Sequence, residues 1–354
     1  MLPPEKILVV QTAFLGDVVL TLPLVQALHH RFPEAKIDFL TTPIGAEVLR
    51  NNPLIDRIIE YDKRGKDRGL AGMMAMKRVL KERSYSVALV PHRSFRSAAI
   101  VALAGIPARI GFSTSAGRFL FTGIIQYQKT QHEVERNLAF LSYFGIGKVG
   151  REYPQLFPSK SDVAAVDAFL FQHSLGDKKK MVAIAPGSVW NTKRWLPENF
   201  ATLAKKLSDE KIHVVLVGGE EDKKLCGEIA AQADAPGVTV AAGALSILQS
   251  AELLRRCVAL VTNDSAPMHL AVAMRTRVVA IFGATVPAFG FAPYGEGDVV
   301  VETEGLTCRP CSIHGGEKCP IGTFECMKKI SSEMVFEKLM AATDRLRPLP
   351  ASVR

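Results

Sequence analysis

Residues 6–41 read KILVVQTAFLGDVVLTLPLVQALHHRFPEAKIDFLT, and the order of patterns within them decides the fold. Lys6–Gln11 is a short apolar, β-branched run that predicts a buried strand; Asp17–Phe32 carries apolar residues at helical spacing; Lys36–Thr41 is a second strand. Strands joined through a helix of that length pair in parallel, because only antiparallel strands can be joined by a tight turn. The alternation continues outward, with strands at Asp56–Tyr61 and Ser86–Val90 and helices at Ile44–Asn51, Gly69–Arg83, Arg96–Ala104 and His132–Phe144. It lapses from Gly145 to Lys160. It then resumes with a helix at Asp162–His173, strands at Met181–Ala185, His213–Val217, Ala259–Thr262 and Val278–Phe282, and helices at Pro197–Asp209, Asp222–Ala233 and Ala266–Met274. The expected architecture is α/β. Two Rossmann-like domains, residues 1–160 and 161–354, each hold a helix-covered parallel sheet and face a cleft.

A chain of 354 residues, 48% hydrophobic and 22% charged, has enough apolar content for two cores, which excludes a disordered chain and a stapled mini-fold. The apolar start is not read as a signal peptide, since Gln11 and Asp17 interrupt it, Gly16 and Pro23 punctuate it, and no small-residue cleavage pattern follows. No apolar run reaches the roughly 18 residues of a membrane span. A cytoplasmic protein with reduced cysteines is the expectation. The net charge of +9 is uneven, because residues 1–150 hold 20 basic and 12 acidic residues, so the first half either meets an anionic partner or carries a solvated basic face.

Ligands of parallel sheets sit where strand ends feed helix starts, so those loops carry the functional candidates. The first is TAFLGDVV (12–19), where the chain turns at Gly16 into a helix begun by Asp17. Asp17 is either a helix cap or a general base held at the cleft. The second, APGSVWNTKRW (185–195), combines the tight turn Pro186–Gly187–Ser188 with the charges of Lys193 and Arg194, an anion cradle that is not a P-loop. Trp190 and Trp195 fall here too, as core anchors or as part of the site. The third, VTNDSAPMHLAVAM (261–274), places Asp264 and Ser265 at a helix start suited to a diphosphate, with His269 one turn on. In VGGEED (217–222), Glu220 and Asp222 could accept from ribose hydroxyls. The only G-x-G-x-x-G, at Gly145, Gly147 and Gly150, follows a helix and opens none, so it is read as a helix stop and linker. No Walker A motif and no Asp-x-Asp occurs, so a bound diphosphate is expected to be neutralised by Lys193 and helix N-termini without a metal cofactor.

The ordered set TAFLGDVVLTLP (12–23), HRSFRSAAIVALAGIPARIGF (92–112), PGSVWNTKRW (186–195) and VTNDSAPMHLAVA (261–273) resembles the ADP-heptose:lipopolysaccharide heptosyltransferases, in particular those of type II. The resemblance runs from about residue 6 to about residue 290. It implies the B-type glycosyltransferase fold and an inverting transfer of heptose from ADP-heptose to the heptose–Kdo–lipid A inner core of lipopolysaccharide. Type I or III transfer on the same core is the alternative. Asp17 then matches the catalytic base, Gly187, Ser188 and Lys193 the donor phosphate and sugar contacts, and Asp264, Ser265 and His269 the second donor loop, with Lys193 also acting on the leaving group. Glu220 is a weaker match for the ribose carboxylate. The acceptor is strongly anionic and lies at the membrane surface, which gives the basic first half a purpose. His92, Arg93 and Arg96 are its expected contacts, whereas Lys63, Arg64, Lys66 and Arg68 read first as a solvated loop.

Two other classes explain less. A nucleic-acid-binding protein accounts for basicity and a cysteine cluster but leaves the strand-end loops idle, and a nucleotide-sugar epimerase or reductase would need a placed dinucleotide fingerprint. The resemblance gives no role to Cys308, Cys311, Cys319 and Cys326, spaced C-x₂-C-x₇-C-x₆-C and far in sequence from the other loops. They suit either a structural zinc or reduced thiols, with His314 as an alternative ligand.

Overall fold

The computed structural model describes residues 3–176 and 180–344. It divides into two compact units, Met1–Phe157 and Pro158–Arg354. The division falls inside the Gly145–Lys160 stretch where the alternation lapses. The left-handed Gly145 (φ 73°) closes the helix before it, so this glycine is a helix stop.

The first unit runs β1 (Lys6–Val10), α1 (Leu15–Arg31), β2 (Lys36–Thr41), α2 (Pro43–Leu49), β3 (Arg57–Glu60), α3 (Gly69–Glu82), β4 (Val87–Val90), α4 (Phe95–Leu103), β5 (Ala108–Phe112), β6 (Gly123–Ile125) and α5 (Glu133–Leu138). Its six strands are all parallel, in the order β3-β2-β1-β4-β5-β6. The second unit runs α6 (Lys160–Gln172), β7 (Met181–Ala185), α7 (Pro197–Asp209), β8 (His213–Leu216), α8 (Lys223–Ala233), β9 (Val238–Val240), α9 (Ile247–Arg256), β10 (Ala259–Asn263), α10 (Ala266–Ala273), β11 (Arg277–Phe282), β12 (Val299–Glu302), α11 (Glu325–Lys328) and α12 (Ser332–Asp344). Its sheet is again parallel, in the order β12-β11-β10-β7-β8-β9. Both follow one rule: three strands are laid down in one direction, and the fourth returns to the far side of the first. The central strands β4, β7 and β10 are buried throughout, as a sheet covered on both faces requires.

Several elements differ from the sequence reading. Helix α1 starts at Leu15 and not at Asp17, because the Asp17 carboxylate reaches back to accept the Phe14 N–H at 3.2 Å and closes the first turn. The helix expected at His132–Phe144 is α only to Leu138; Ala139–Phe144 tightens to a 3₁₀ turn, where the Ser142 hydroxyl donates to the Ala139 carbonyl at 2.7 Å. Strand β5, sequence ARIGF, has Gly111 in its interior, where a Cβ would lie 2.0 Å from the Phe121 ring. The glycine that disguised the strand is what lets the ring pack on it.

Candidate active site

In each sheet the loops of interest leave strands at the point where the strand order reverses. In the first, register pairs Val9 with Leu89, so the segment after β1 (Gln11–Phe14) runs beside the segment after β4 (Pro91–Ser94). The His92 N–H donates to the Val10 carbonyl at 3.4 Å. Thr12 Oγ1 lies 3.0 Å from His92 Nδ1, and Ser97 Oγ lies 2.8 Å from the same nitrogen. Lys63 folds onto this cluster and donates to the Thr12 carbonyl at 2.6 Å, while Arg96 donates to the Lys63 carbonyl at 3.3 Å. Burial, followed by the charges of Lys63 and Arg93, pushes His92 down to about 3, so its imidazole is neutral at physiological pH. Arg64, Lys66 and Arg68 stay exposed on their loop.

Asp17 occupies the third residue of α1, whose second turn is tied to α5 by Asn137, which donates to the Leu20 carbonyl at 3.0 Å; within α1, Thr21 donates to the Asp17 carbonyl at 2.8 Å. One turn earlier on α5 stands Glu133. Its carboxylate is buried, paired with Arg136 at 2.8 Å and approached by the Tyr127 hydroxyl at 3.3 Å. The Tyr127 ring carries two cations, Arg93 at 4.5 Å and Arg136 at 4.6 Å from its centroid. Burial, then the negative charge of Glu133, raises the Asp17 carboxyl to about 7, against the opposing pull of the Phe14 N–H and Arg93. A carboxylate that titrates near neutral pH has the proton affinity a general base needs.

In the second unit, register pairs Ala185 with Thr262, which sets the loop after β7 beside the loop after β10. Asn263 couples them, donating to the Pro186 carbonyl at 2.8 Å and accepting from the Trp195 N–H at 3.0 Å. Trp195 is a core anchor: it is buried, its ring packs edge-on against Phe200 and its indole N–H donates to the Ile330 carbonyl at 2.9 Å. Trp190 is half-buried. Gly187 leaves room for a neighbour, since a Cβ there would lie 2.1 Å from Asp222 Oδ1. The same carboxylate accepts the Gly219 N–H at 3.1 Å, and burial raises its pKa. Asp222 is therefore the carboxylate wedged against the 186–188 turn, whereas Glu220 is exposed and pairs loosely with Lys223 at 3.3 Å. Ser188 fixes Arg194 through its carbonyl, at 2.7 Å.

Lys193 and Asp264, expected as separate contacts, form an ion pair at 2.6 Å. Thr285 donates to the same Asp264 oxygen at 2.7 Å. Ser265 caps α10, Pro267 occupies its first turn, and His269 is buried one turn in. A lysine close to a helix N-terminus gives a site for negative charge without any metal ligand.

All six cysteines are free thiols; Cys308, Cys311 and Cys319 are half-buried and Cys326 is buried. Cys319 is drawn below the usual thiol range by backbone N–H groups of Phe324, Ile321, Gly322 and Thr323, whereas burial raises Cys326 to about 11. Among the described residues no group of three or more His, Cys, Asp or Glu side chains stands in metal-holding geometry, although the charges of Cys308, Cys311 and Cys319 all act on Cys326. The cysteine-rich segment also lies against the second-unit loops despite its distance in sequence: the Thr192 N–H donates to the Gly316 carbonyl at 3.0 Å.

The structure thus brings together Asp17, His92, Arg93 and Arg96 in one unit and Gly187, Ser188, Lys193, Asp264 and Ser265 in the other, with Glu220 exposed in the turn that carries Asp222. Sequence reasoning missed Thr12, Tyr127, Glu133, Arg136, Thr285 and Arg309. Glu133 and Arg136 stand three apart in QHEVERN, a spacing usually found on solvated helix faces. Their burial is what makes them notable, and spacing does not report burial.

Residues 73–318 match the profile of glycosyltransferase family 9 (heptosyltransferase). Lipopolysaccharide heptosyltransferase 2 of Escherichia coli K12 is 30% identical over 293 residues, covering 80% of this chain and 84% of that protein. The solved structure of E. coli ADP-heptose LPS heptosyltransferase II superposes with a TM-score of 0.77 at 28% identity, covering 96% of this chain and 99% of that one. A family 9 glycosyl transferase from Veillonella parvula DSM 2008 superposes with a TM-score of 0.88 at 23% identity over 97% and 98% of the two chains, a likeness of fold.

Proposed function

The chain belongs to glycosyltransferase family 9, the heptosyltransferases, and from that membership we propose that it performs the type II step, moving heptose from ADP-heptose to the heptose–Kdo–lipid A core of lipopolysaccharide. It is an enzyme with the B-type glycosyltransferase fold. In the proposed reaction the Asp17 carboxylate takes the proton of an acceptor heptose hydroxyl. That oxygen bonds to the anomeric carbon of the donor from the face opposite the nucleotide. The bond from that carbon to the diphosphate breaks, its electron pair leaves with ADP, and the configuration inverts. Negative charge grows on the diphosphate as the bond breaks, so Lys193 and the N–H groups at Ser265 bind the transition state more tightly than the ground state. No metal is required for this step.

The donor falls to the second unit and the acceptor to the first. The observation that carries the donor assignment is the meeting of Lys193 with the start of α10 where the strand order of the second sheet reverses. Arg93, whose charge acts on Asp17, and Arg96, which reaches the Lys63 carbonyl on the same basic unit, support the acceptor assignment. No helix among the described residues is long and apolar enough to cross a membrane. We place the enzyme peripherally at the inner face of the inner membrane, where its lipid-anchored acceptor would lie. Thermal-shift titrations with ADP, UDP and NAD test the donor reading. Selective stabilisation by ADP supports it, and equal response to all three, or to NAD alone, rejects it.

A further inference from the structure

The cysteine-rich excursion between β12 and α11 is held by hydrogen bonds that converge on the Lys193–Asp264 pair from both sides. On one side stands Arg309, between Cys308 and Pro310, its side chain 7% exposed. Its guanidinium donates to the carbonyls of Thr285 (2.8 Å), Thr303 (2.7 Å), Phe282 (3.4 Å) and Gly283, and pairs with Glu302 at 2.8 Å. The Cys311 N–H adds a bond to the Ala284 carbonyl at 2.9 Å. The loop after β11 is thereby pinned at Phe282, Gly283, Ala284 and Thr285. Thr285 is the residue whose hydroxyl reaches Asp264.

On the other side the excursion grips the segment that carries Lys193. Gly316 and Thr192 are bonded in both directions: the Gly316 N–H donates to Thr192 Oγ1 at 2.7 Å, and the Thr192 N–H donates to the Gly316 carbonyl at 3.0 Å. Asn191 donates to Glu317 at 2.9 Å. Gly315 adopts a left-handed φ of 86°, and a Cβ there would lie 3.1 Å from Lys193 Cγ and 3.2 Å from the Trp190 Cβ. Only glycine satisfies both demands without strain. Between Cys308 and Gly322 no residue is fully buried, so these polar ties, and not a core of its own, fix the segment's position.

We propose that the segment Cys308–Glu317 is a clamp on the nucleotide-sugar site, with Thr192 and Arg309 as positioning residues that hold Lys193 and Asp264 in register for a nucleoside diphosphate. The proposal rests on the donor reading of the second unit. It assigns the excursion a part in donor recognition through a series of contacts that runs from Arg309 to Thr285, Asp264 and Lys193, and from Gly316 to Thr192, the chain neighbour of Lys193. A clamp of this kind acts on donor binding and leaves acceptor binding alone.

The test compares wild type, Thr192→Val, Thr192→Ser and Gly315→Ala in the full chain, measuring ADP affinity by calorimetry, KM for donor and acceptor, and thermal midpoint. Thr192→Val keeps the shape of the side chain but removes the hydroxyl acceptor of the Gly316 N–H. Losing one such bond at a site that must be held in register weakens ADP binding and raises donor KM about tenfold. Acceptor KM stays at its wild-type value, the thermal midpoint falls by only the few degrees that one lost buried hydrogen bond costs, and Thr192→Ser restores both midpoint and donor affinity. Gly315→Ala, strained by its left-handed backbone, lowers the thermal midpoint further and shows the same loss of donor over acceptor affinity if the valine variant fails to fold. Wild-type ADP affinity in folded Thr192→Val and Gly315→Ala overturns the clamp while the donor reading stands. Failure of the wild-type protein itself to bind ADP overturns the donor reading and the clamp with it.

Discussion

Lys193 Nζ lies 2.6 Å from Asp264 Oδ2, with the two side chains 14% and 9% exposed, so each is the other's main counter-charge. In the proposed donor site a diphosphate would therefore compete with Asp264 for the ammonium. Removing one partner from a largely buried pair leaves a charge uncompensated, at a cost of about 3–5 kcal/mol. Lys193→Ala should accordingly lose both stability and ADP affinity. The double variant Lys193→Ala with Asp264→Asn should recover stability but not affinity, measured by thermal unfolding and calorimetry. Wild-type ADP affinity in the double variant would remove Lys193 from the donor site.

Asp17→Asn should lower turnover by about 10² or more, the contribution of a positioned general base, with ADP binding unchanged. Because the wild-type carboxyl titrates at about 7, kcat/KM should rise with pH through that value, and this limb should vanish in the variant. The sign for stability is the reverse. A carboxyl whose pKa is raised by folding holds its proton more tightly folded than unfolded, so its ionisation removes stability as pH climbs from about 4 to about 7. Asp17→Asn should unfold at a higher temperature than wild type at pH 8 and at about the same temperature at pH 4. Normal turnover in the folded variant excludes Asp17 as the base.

Arg93→Ala and Arg96→Ala should raise acceptor KM and leave ADP binding alone, because both residues belong to the unit without donor loops. Steady-state kinetics with each substrate varied in turn measure the split. A fall in donor affinity at constant acceptor KM would mean that the two units have been assigned the wrong substrates.

Activity should persist in EDTA, since Lys193 and the start of α10 supply the positive potential that a metal provides in other diphosphate sites. Loss of activity in EDTA that Mg²⁺ restores contradicts that account. Elemental analysis of protein purified without a chelating tag should find zinc and iron below about a tenth of an equivalent, with the thiols of Cys308, Cys311, Cys319 and Cys326 titratable after unfolding. One bound metal per chain would mean that these four thiols hold it.

The strands that matter were readable because a strand buried on both faces is written as an unbroken apolar run, as in ILVV, MVAIA and the ALV of β10. The loops at their ends carried recognisable residues for the same reason: helix starts and close backbone approaches need Gly, Ser and Asp. Some strands were hidden. Residues Gly123–Ile125 and Val238–Val240 form strands of three, too short for a period to register, and ARIGF carries a glycine whose purpose lies in Phe121, ten residues on. Helix α9 was missed although Ser246 and Gln249 form its capping box, a signal present in the sequence and not used. At the site, sequence named the charges but not their pairing. Asp264 and Lys193 are 71 positions apart, and only the parallel register of β7 and β10 brings them together. The clamp depends on hydrogen bonds of Arg309 and Thr192 to main-chain groups, which leave no residue pattern at all.

The central claim, that this chain transfers heptose onto the inner core, is tested most directly by product analysis with ADP-heptose and a series of defined truncated acceptors. The account predicts that a core ending in its first heptose gains the mass of one heptose, with inverted anomeric configuration and release of ADP. A Kdo–lipid A acceptor lacking heptose should gain nothing. Transfer to that heptose-free acceptor would contradict the type II assignment, and ADP-heptose left intact with every acceptor would contradict the enzyme's proposed reaction altogether.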